Sequence, residues 1–410
     1  MAKHVKGATA VETHSAILDL IRSSQVVSRI ELADRSGLTG ASISRIVRQL
    51  LDDGLVVEIG VGDATGGKRR TLLQLNSRAR HAVGISLDFA SVTYLVTDLN
   101  GVVLTRQLGA GVGHGSPRTV TQRVAEELGA VLAAAGVDRE TLIGVGIAVS
   151  GRQNLDHEAL RGTARATDWE LFALEDTLGA VTDLPVVVEN DSTCAAIGEY
   201  WVEHIPATTD FATVYMASGF GLGLVTQGDV YRGASANVGE IGHMVVDVNG
   251  KACWCGSRGC LEALAGTERI VDQALADRSL AQELGLTGSP DETRADFNRV
   301  ARAAAGGESR AVALIEESAG YLATALLSAT NLLDLDHIIL SGPGFIDAGD
   351  IYLRVVSREV GRLSFARAVH PTRVGLSAAG TDSPALGAAS LVLHRGLTPH
   401  QTSRRLALTL

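Results

Sequence analysis

Cysteine is scarce in this chain, with four in 410 residues. That excludes a disulfide-stapled framework and suits a reducing compartment. No run of eighteen apolar residues appears, so no membrane span is expected. The opening Met1-Ala2-Lys3-His4-Val5-Lys6 lacks the apolar core of a signal peptide, so a cytoplasmic chain is expected. Aromatic residues make up only 4%, while hydrophobic and charged contents of 46% and 20% are ordinary for a folded domain. The length suits two or three such domains. Charge is uneven. Residues 1–80 carry 12 Lys and Arg against 8 Asp and Glu; the remainder carries 24 against 38. A basic N-terminal piece on an acidic body suggests that only the first part meets a polyanion.

The few cysteines are not scattered. Only Cys194 lies outside Cys253-Trp254-Cys255-Gly256-Ser257-Arg258-Gly259-Cys260, and Gly239-Glu240-Ile241-Gly242-His243 precedes that stretch closely. One imidazole and three thiols in so short a piece suit tetrahedral zinc, since soft thiolates select zinc among common divalent ions. Cys-x-Cys demands a sharp turn, which Gly250, Gly256 and Gly259 permit. Four ligands, His243, Cys253, Cys255 and Cys260, leave no open position, so such a zinc is structural. The alternative is three buried cysteines and an unrelated histidine.

The basic N-terminal part reads as helices. Ile17, Leu18 and Ile21 have helical spacing within Thr13–Arg22. Ser28 and Glu31 form a capping-box pattern opening a short helix to Arg35. Gly37-Leu38 makes a turn, Thr39 caps a third helix to about Asp52, and Gly54 ends it. That helix sets Ile43, Ile46, Val47, Leu50 and Leu51 on one face. Ala41, Arg45, Arg48 and Gln49 lie opposite, with Ser42 and Ser44 on the flanks. The pattern is a helix-turn-helix whose third helix would enter the major groove, with Thr39, Ala41, Ser42, Ser44, Arg45 and Arg48 toward DNA. Arg45 and Arg48 can grip guanine bidentately or neutralise phosphate. Leu55–Ile59 and Thr71–Leu75 read as strands flanking a glycine-rich hairpin that ends in Lys68, Arg69 and Arg70. This looks like a wing set against the backbone or minor groove.

After about residue 77 the pattern becomes α/β. Strand-like runs at His81–Asp88, Val92–Asp98 and Val102–Leu108 precede a helix at Pro117–Ala135 and strands at Leu142–Val149 and Leu184–Glu189. A helix opens at Asp191. The pattern then restarts with Phe211–Met216 and Leu222–Thr226, followed by helices around 262–276, 294–304 and 311–333. Strands at His337–Leu340 and Arg373–Leu376 and a helix at Pro384–Leu393 close it. Two sets of hairpin strands, each followed by alternating strand and helix, suggest a duplicated α/β fold around a cleft. The boundaries read from this are 1–76 for the DNA-binding domain and 77–396 for the body. The body divides into lobes of about 77–200 and 201–396, followed by a tail at 397–410. Asn190-Asp191 follows a strand and opens a helix at the cleft edge. Asp191 there is a plain cap, a hydrogen-bond acceptor or a general base.

Gly-Glu-x-Gly-His followed by Cys-x-Cys-Gly-x-x-Gly-Cys-x-Glu resembles the signature of the ROK family of sugar kinases and sugar-responsive repressors. The resemblance implies an actin-like, hexokinase-type fold for nearly all the chain after residue 78. It also implies zinc on the histidine and cysteines, and a sugar facing Asn190, Asp191, Glu240, His243 and Glu262. The Gly-Gly-Lys-Arg-Arg wing is similar to the family's Gly-Gly-Arg-Arg-Pro segment without its proline. ROK kinases end their first strand in Asp-x-Gly-Gly-Thr, which cradles phosphate through bare backbone. Here the segment is Asp88-Phe89-Ala90-Ser91 and its glycines are gone. Gly219, Gly221 and Gly223, and then Gly342 and Gly344, stand where the family's other nucleotide loops lie; tight turns between strands are the alternative. The family's asparagine before Trp169 is missing, which leaves Arg165 or Asp168 toward the ligand, and Ser150 replaces the proline before Gly151. The expectation is therefore a non-enzymatic, sugar-responsive repressor. It binds operator DNA and a sugar or sugar derivative, as a homodimer or dimer of dimers, with no membrane contact. A sugar kinase with an appended DNA-binding domain is the other reading.

Overall fold

The computed structural model of the chain describes residues 10–61, 70–151, 168–203, 205–206 and 208–397. Helices α1 (Ala10–Ser24), α2 (Arg29–Ser36) and α3 (Gly40–Asp52) pack on a small sheet of β1 (Val27–Ser28), β3 (Thr71–Leu75) and β2 (Val56–Val61), in that order. The capping box forms as expected: Ser28 Oγ accepts from the Glu31 N–H, and Glu31 accepts from the Ser28 N–H at 2.8 Å. Gly37 ends α2 at φ +70° and Thr39 caps α3, so the turn between them is fixed by local chemistry. Ile43, Ile46, Val47 and Leu50 are buried, as the spacing requires. Strand β1 is two residues long and merges with the cap of α2, where the sequence predicts only a break over Gln25–Val27.

The body contains two five-stranded sheets of one topology. The first runs β6-β5-β4-β7-β8, from β4 (His81–Leu87), β5 (Ser91–Asp98), β6 (Val103–Ala110), β7 (Leu142–Val149) and β8 (Val186–Asn190). The second runs β11-β10-β9-β12-β13, from β9 (Phe211–Met216), β10 (Phe220–Thr226), β11 (Asp229–Val230), β12 (His337–Ser341) and β13 (Arg373–Leu376). In each sheet the hairpin strands pair antiparallel on one side of the central strand and two strands pair parallel on the other. The duplication expected from the element pattern is thus present strand for strand.

Helices α4 (Pro117–Ala135) and α5 (Leu174–Thr182) cover the first sheet. Helix α6 (Asp191–Val202) lies between the lobes. Helices α7 (Leu261–Ala265), α8 (Thr267–Ala276), α9 (Arg278–Leu284), α10 (Thr293–Ala305), α11 (Ser309–Leu333) and α12 (Gly349–Leu363) build the second lobe. The single helix expected over 262–276 is divided at Gly266, whose extended backbone (φ −64°, ψ 164°) separates α7 from α8. By length and composition α11 would cross a bilayer. Here its Ile315, Leu322 and Leu326 lie in the core of the second lobe.

The last helix, α13 (Ser383–Leu397), returns to the first sheet. Glycines explain how closely it lies. A Cβ on Gly84 would collide with the Ala385 carbonyl, one on Gly146 with Ala388, and one on Gly198 with Ser383. A Cβ on Gly387 would collide with the Cys194 carbonyl, so α6 and α13 cross backbone to backbone. Gly387→Ala is expected to force these helices apart and cost about 1–3 kcal/mol, as overpacking does. Urea unfolding measures this, and an unchanged midpoint would contradict the crossing.

The winged helix is not a separate bead. Ile17, Leu18 and Ile21 of α1 share one apolar cluster with Leu99, Ile197, Trp201, Leu391 and Leu393 of the body. The boundary read at residues 76 and 77 therefore divides the chain across a continuous core.

Candidate functional site

The cysteine–histidine loop folds around its own turns. His243 sits in a single 3-10 turn, Ile241–His243. Bridges between Val245 and Cys260 and between Ala252 and Arg258 then bring the loop's ends together. Gly256 (φ +98°) and Gly259 (φ +70°) take left-handed conformations, and a side chain at Gly259 would strike the Asp247 carbonyl. As a result, one ligand atom each from His243, Cys253, Cys255 and Cys260 lies within 4.8 Å of all the others. Cys253 Sγ is 3.7 Å from His243 Nδ1, and Cys255 Sγ is 3.7 Å from Cys260 Sγ. Metal–sulfur bonds of about 2.3 Å in a tetrahedron give edges of about 3.8 Å, so the donor set fits a tetrahedral metal. His243 Nδ1 is the imidazole nitrogen that faces Cys253, which leaves Nε2 for other partners.

The same loop carries acids. Glu262, two residues past Cys260, accepts a 2.7 Å hydrogen bond from the indole N–H of Trp254, which is 58% exposed. The Trp254 ring meets His243 edge to face at 4.9 Å. Trp254 thus ties one metal-ligand position to one acid, a role the sequence reading missed although the residue lies inside Cys-x-Cys. A side chain at Gly219 would overlap Glu262, and one at Gly221 would sit 2.7 Å from Ser192 Cβ. The start of β10 therefore runs between Glu262 and the first turn of α6. Asn190 caps α6, its Oδ1 accepting from the N–H groups of Ser192 (3.0 Å) and Thr193 (3.2 Å). That leaves its amide NH₂ as the donor end. Burial pushes the Asp191 carboxyl up to about 7; the Ser192 N–H opposes this, and the charges of Asp88 and Glu240 add to it. Asn190, Asp191 and Glu240 thus share one electrostatic neighbourhood.

The Asp88–Ser91 segment makes contacts of its own, within itself and to the other lobe. Ala90 N–H donates to Asp88 Oδ1 at 2.9 Å, and Arg294 of α10 donates to Asp88 Oδ2 at 2.9 Å from the opposite lobe. Phe89 meets His114 edge to face at 5.3 Å, and His114 is hydrogen-bonded to Asp291 at 2.7 Å, again across the lobes. Sequence reading saw the missing glycines but not these partners. Gly223 is required by the approach of β10 to Ser192 and Ala196. Gly342 and Gly344 press on Met216, and Gly342 adopts φ +103°. Asp168 is exposed, Trp169 meets Phe172 at 6.4 Å, and Gly151 takes φ +98° beside Glu170. Arg165 lies outside the described residues. Arg232, on the loop after β11, pairs with the buried Glu189 at 3.0 Å, a link sequence reading did not find.

On the winged helix, Ala41, Ser44, Arg45 and Arg48 are exposed along α3, Ser42 is half-buried, and Thr39 accepts from the Ser42 N–H at 3.2 Å. Arg70 is half-buried at the start of β3 and near Glu31. Lys68 and Arg69 lie outside the described residues.

A winged helix joined to a duplicated α/β body, with a metal-fitting loop beside a carboxylate cleft, defines a DNA-binding protein with a ligand-sensing body. Residues 82–395 match the ROK family model, and residues 12–57 match a winged helix-turn-helix DNA-binding model. The chain belongs to the ROK family. It is 26% identical over 377 residues to the xylose repressor of Bacillus subtilis (strain 168), covering 92% of this chain and 94% of that one. It is 27% identical over 336 residues to the transcriptional dual regulator NagC of Escherichia coli (strain K12), covering 80% and 79%. Among solved structures, a ROK family transcriptional regulator homologous to the E. coli MLC protein superposes with a TM-score of 0.73 at 25% identity, covering 95% and 98%. A ROK family glucokinase from Streptomyces griseus, in complex with glucose and AMPPNP, gives 0.62 at 28% identity, covering 76% and 98%.

Proposed function

We propose that this chain is a sugar-responsive transcriptional repressor, cytoplasmic and acting as a homodimer or dimer of dimers. One observation carries the reading. A winged helix with Arg45 and Arg48 exposed on its third helix shares a core with a body in which Asp191 feels Glu240, and the start of β10 runs between Glu262 and the first turn of α6. Carboxylates and an amide suit sugar hydroxyls, which both donate and accept. His243, Cys253, Cys255 and Cys260 would hold Zn²⁺, which supplies no open coordination position and fixes the loop that carries Glu262. Thr39, Ala41, Ser42, Ser44, Arg45, Arg48 and the wing's Lys68, Arg69 and Arg70 would meet operator DNA. A full operator needs two such heads at a fixed spacing, so small rotations in a dimer suffice to release it.

A thermal-shift screen of sugars and sugar phosphates, repeated with operator DNA, tests the reading; a sugar that stabilises the protein and weakens DNA binding is the expected result. Asp191, pushed up to about 7, favours the second reading, a sugar kinase with Asp191 as general base. The Asp88–Arg294 pair and Phe89 oppose it, since they stand where the resemblance puts a phosphate cradle of bare backbone. ADP release on adding a sugar and MgATP decides between them. For DNA, Arg45→Ala and Arg48→Ala separate the two modes of contact. A phosphate contact lowers the salt slope of log K by about 1 and weakens all duplexes alike; a guanine contact costs about 1–3 kcal/mol at one base position. Unchanged binding in both variants would remove α3 from the interface.

A further inference from the structure

We infer that Arg22 and Trp201 form the joint through which cleft occupancy reaches the winged helix; the inference rests on the repressor reading above. Helix α6 starts in the cleft at Asn190 and Asp191 and, at about 1.5 Å per residue, carries its last turn about 15 Å away. That last turn holds Tyr200 and Trp201 against α1. The Arg22 guanidinium lies 4.0 Å over the Trp201 ring centre and 5.8 Å from that of Tyr200. The Arg22 side chain is only 5% exposed. Its Nε and Nη1 make no hydrogen bond, and the nearest charge partner is Asp19, 3.5 Å from Nε.

A buried guanidinium with idle donors is unfavourable as a purely structural device, and an apolar side chain would pack there at lower cost. It is suited to a contact that must be broken and remade, since cation–π attraction is strong when desolvated yet depends on ring position. The position of Trp201 is set by the cleft. Gly221 and Gly223 bring β10 of the second lobe onto Ser192 and Ala196 of α6, while Gly198 and Gly387 lock α6 to α13 of the first. The buried Glu199 of α6 also accepts hydrogen bonds from Ser341 and Ser377, which follow or end strands of the second lobe. Movement of one lobe against the other therefore displaces α6. The α13 strut also ends on α1, with His394 at 3.9 Å from Asp19. Two helices that touch both lobes thus converge on the helix that carries the reading head.

The test uses the full chain, a duplex selected by the wild type from a randomised pool, and a panel of neutral aldoses and N-acetylated amino sugars that includes D-xylose. In the wild type the active sugar should change duplex affinity at least about 5-fold. Arg22→Met removes the buried charge while filling its space, so it should fold and melt no lower than the wild type. It should keep duplex binding and the sugar-induced thermal shift, but its sugar-dependent change in duplex affinity should fall below about 2-fold. Trp201→Leu should lose the response likewise, though the smaller side chain lowers its melting temperature, whereas Trp201→Phe, which keeps an aromatic face, should retain the response. A full response in Arg22→Met would overturn the joint and leave the repressor reading standing. A wild type whose duplex affinity no sugar in the panel alters would overturn both.

Discussion

Serine at position 260 should strip the metal from the protein and silence its answer to sugar. Cys260 is fully buried and stands at the hub of the loop. It supplies a sulfur, pairs with Val245 across the bridge, and leads directly into α7, whose second residue is Glu262. A hydroxyl is a harder and weaker zinc ligand than a thiolate, so affinity should fall by at least about 100-fold, beyond the cost of losing an outer partner. Three remaining donors then leave the 245–260 loop held by its hydrogen bonds alone, such as those from the Cys253 N–H to Ser257 and from the Gly259 N–H to Lys251. Glu262 loses its fixed approach to Gly219, and Trp254 loses its place against His243. The expected result of Cys260→Ser is zinc content falling from one per chain toward zero, a melting temperature lower by ~5 °C or more, and no sugar-induced thermal shift. Zinc released by a denaturant and titrated with a chromophoric chelator measures the first. Full zinc content in the variant would refute the ligand assignment, whatever happened to the melting temperature.

The cysteine–histidine loop was legible because its chemistry is local: one histidine, three cysteines and the turn-making Gly256 and Gly259 all lie between residues 243 and 260. The helix-turn-helix was legible for the same reason, since Ser28, Glu31, Gly37 and Thr39 carry their own capping geometry. Much of what escaped sequence reading is weakly signalled or distant, although α9 was missed despite its Asp277 cap and its Gly285 end. Helices α5 and α12 begin without a side-chain cap, so no residue type announces them. The break at Gly266 is a single glycine inside an apolar pattern, and its extended backbone depends on how α7 turns into α8. The loss of glycine after Asp88 could be read directly, but Arg294 lies 206 positions further on and only the fold brings it there. Gly84, Gly146 and Gly198 are single glycines in the sequence, and only the fold lays α13 on them. Trp201 carries no signal of its own in the sequence, since its contact is with Arg22, in a helix that periodicity assigned to the DNA-binding head.

Asp191→Asn should split sugar binding from stability. Asparagine keeps the shape of the side chain but removes the charge. The Asp191 carboxyl ionises near 3.8 when the chain is unfolded and near 7 when it is folded, because burial, Asp88 and Glu240 all disfavour the anion. A raised carboxyl favours the folded state below about pH 4, and that advantage is lost as pH rises through about 7. The wild type therefore bears a growing penalty between about pH 4 and pH 7, and a constant one above. At about 1.4 kcal/mol per unit the ceiling is about 4 kcal/mol, and water reaching the cleft lowers it. Glu199, also pushed up to about 7 by burial, titrates over the same range but is present in both proteins, so the difference between them isolates Asp191. Asp191→Asn should equal the wild type in stability near pH 4 and exceed it near pH 8. Its affinity for the active sugar should fall by about 10- to 100-fold, the loss expected for a charge-assisted hydrogen bond. Urea melts at several pH values, with calorimetric sugar titration at pH 8, measure both. A stability difference that stays flat from pH 4 to pH 8 would show that the carboxylate is not confined as the fold implies. Unaltered sugar affinity would place the ligand away from the first turn of α6.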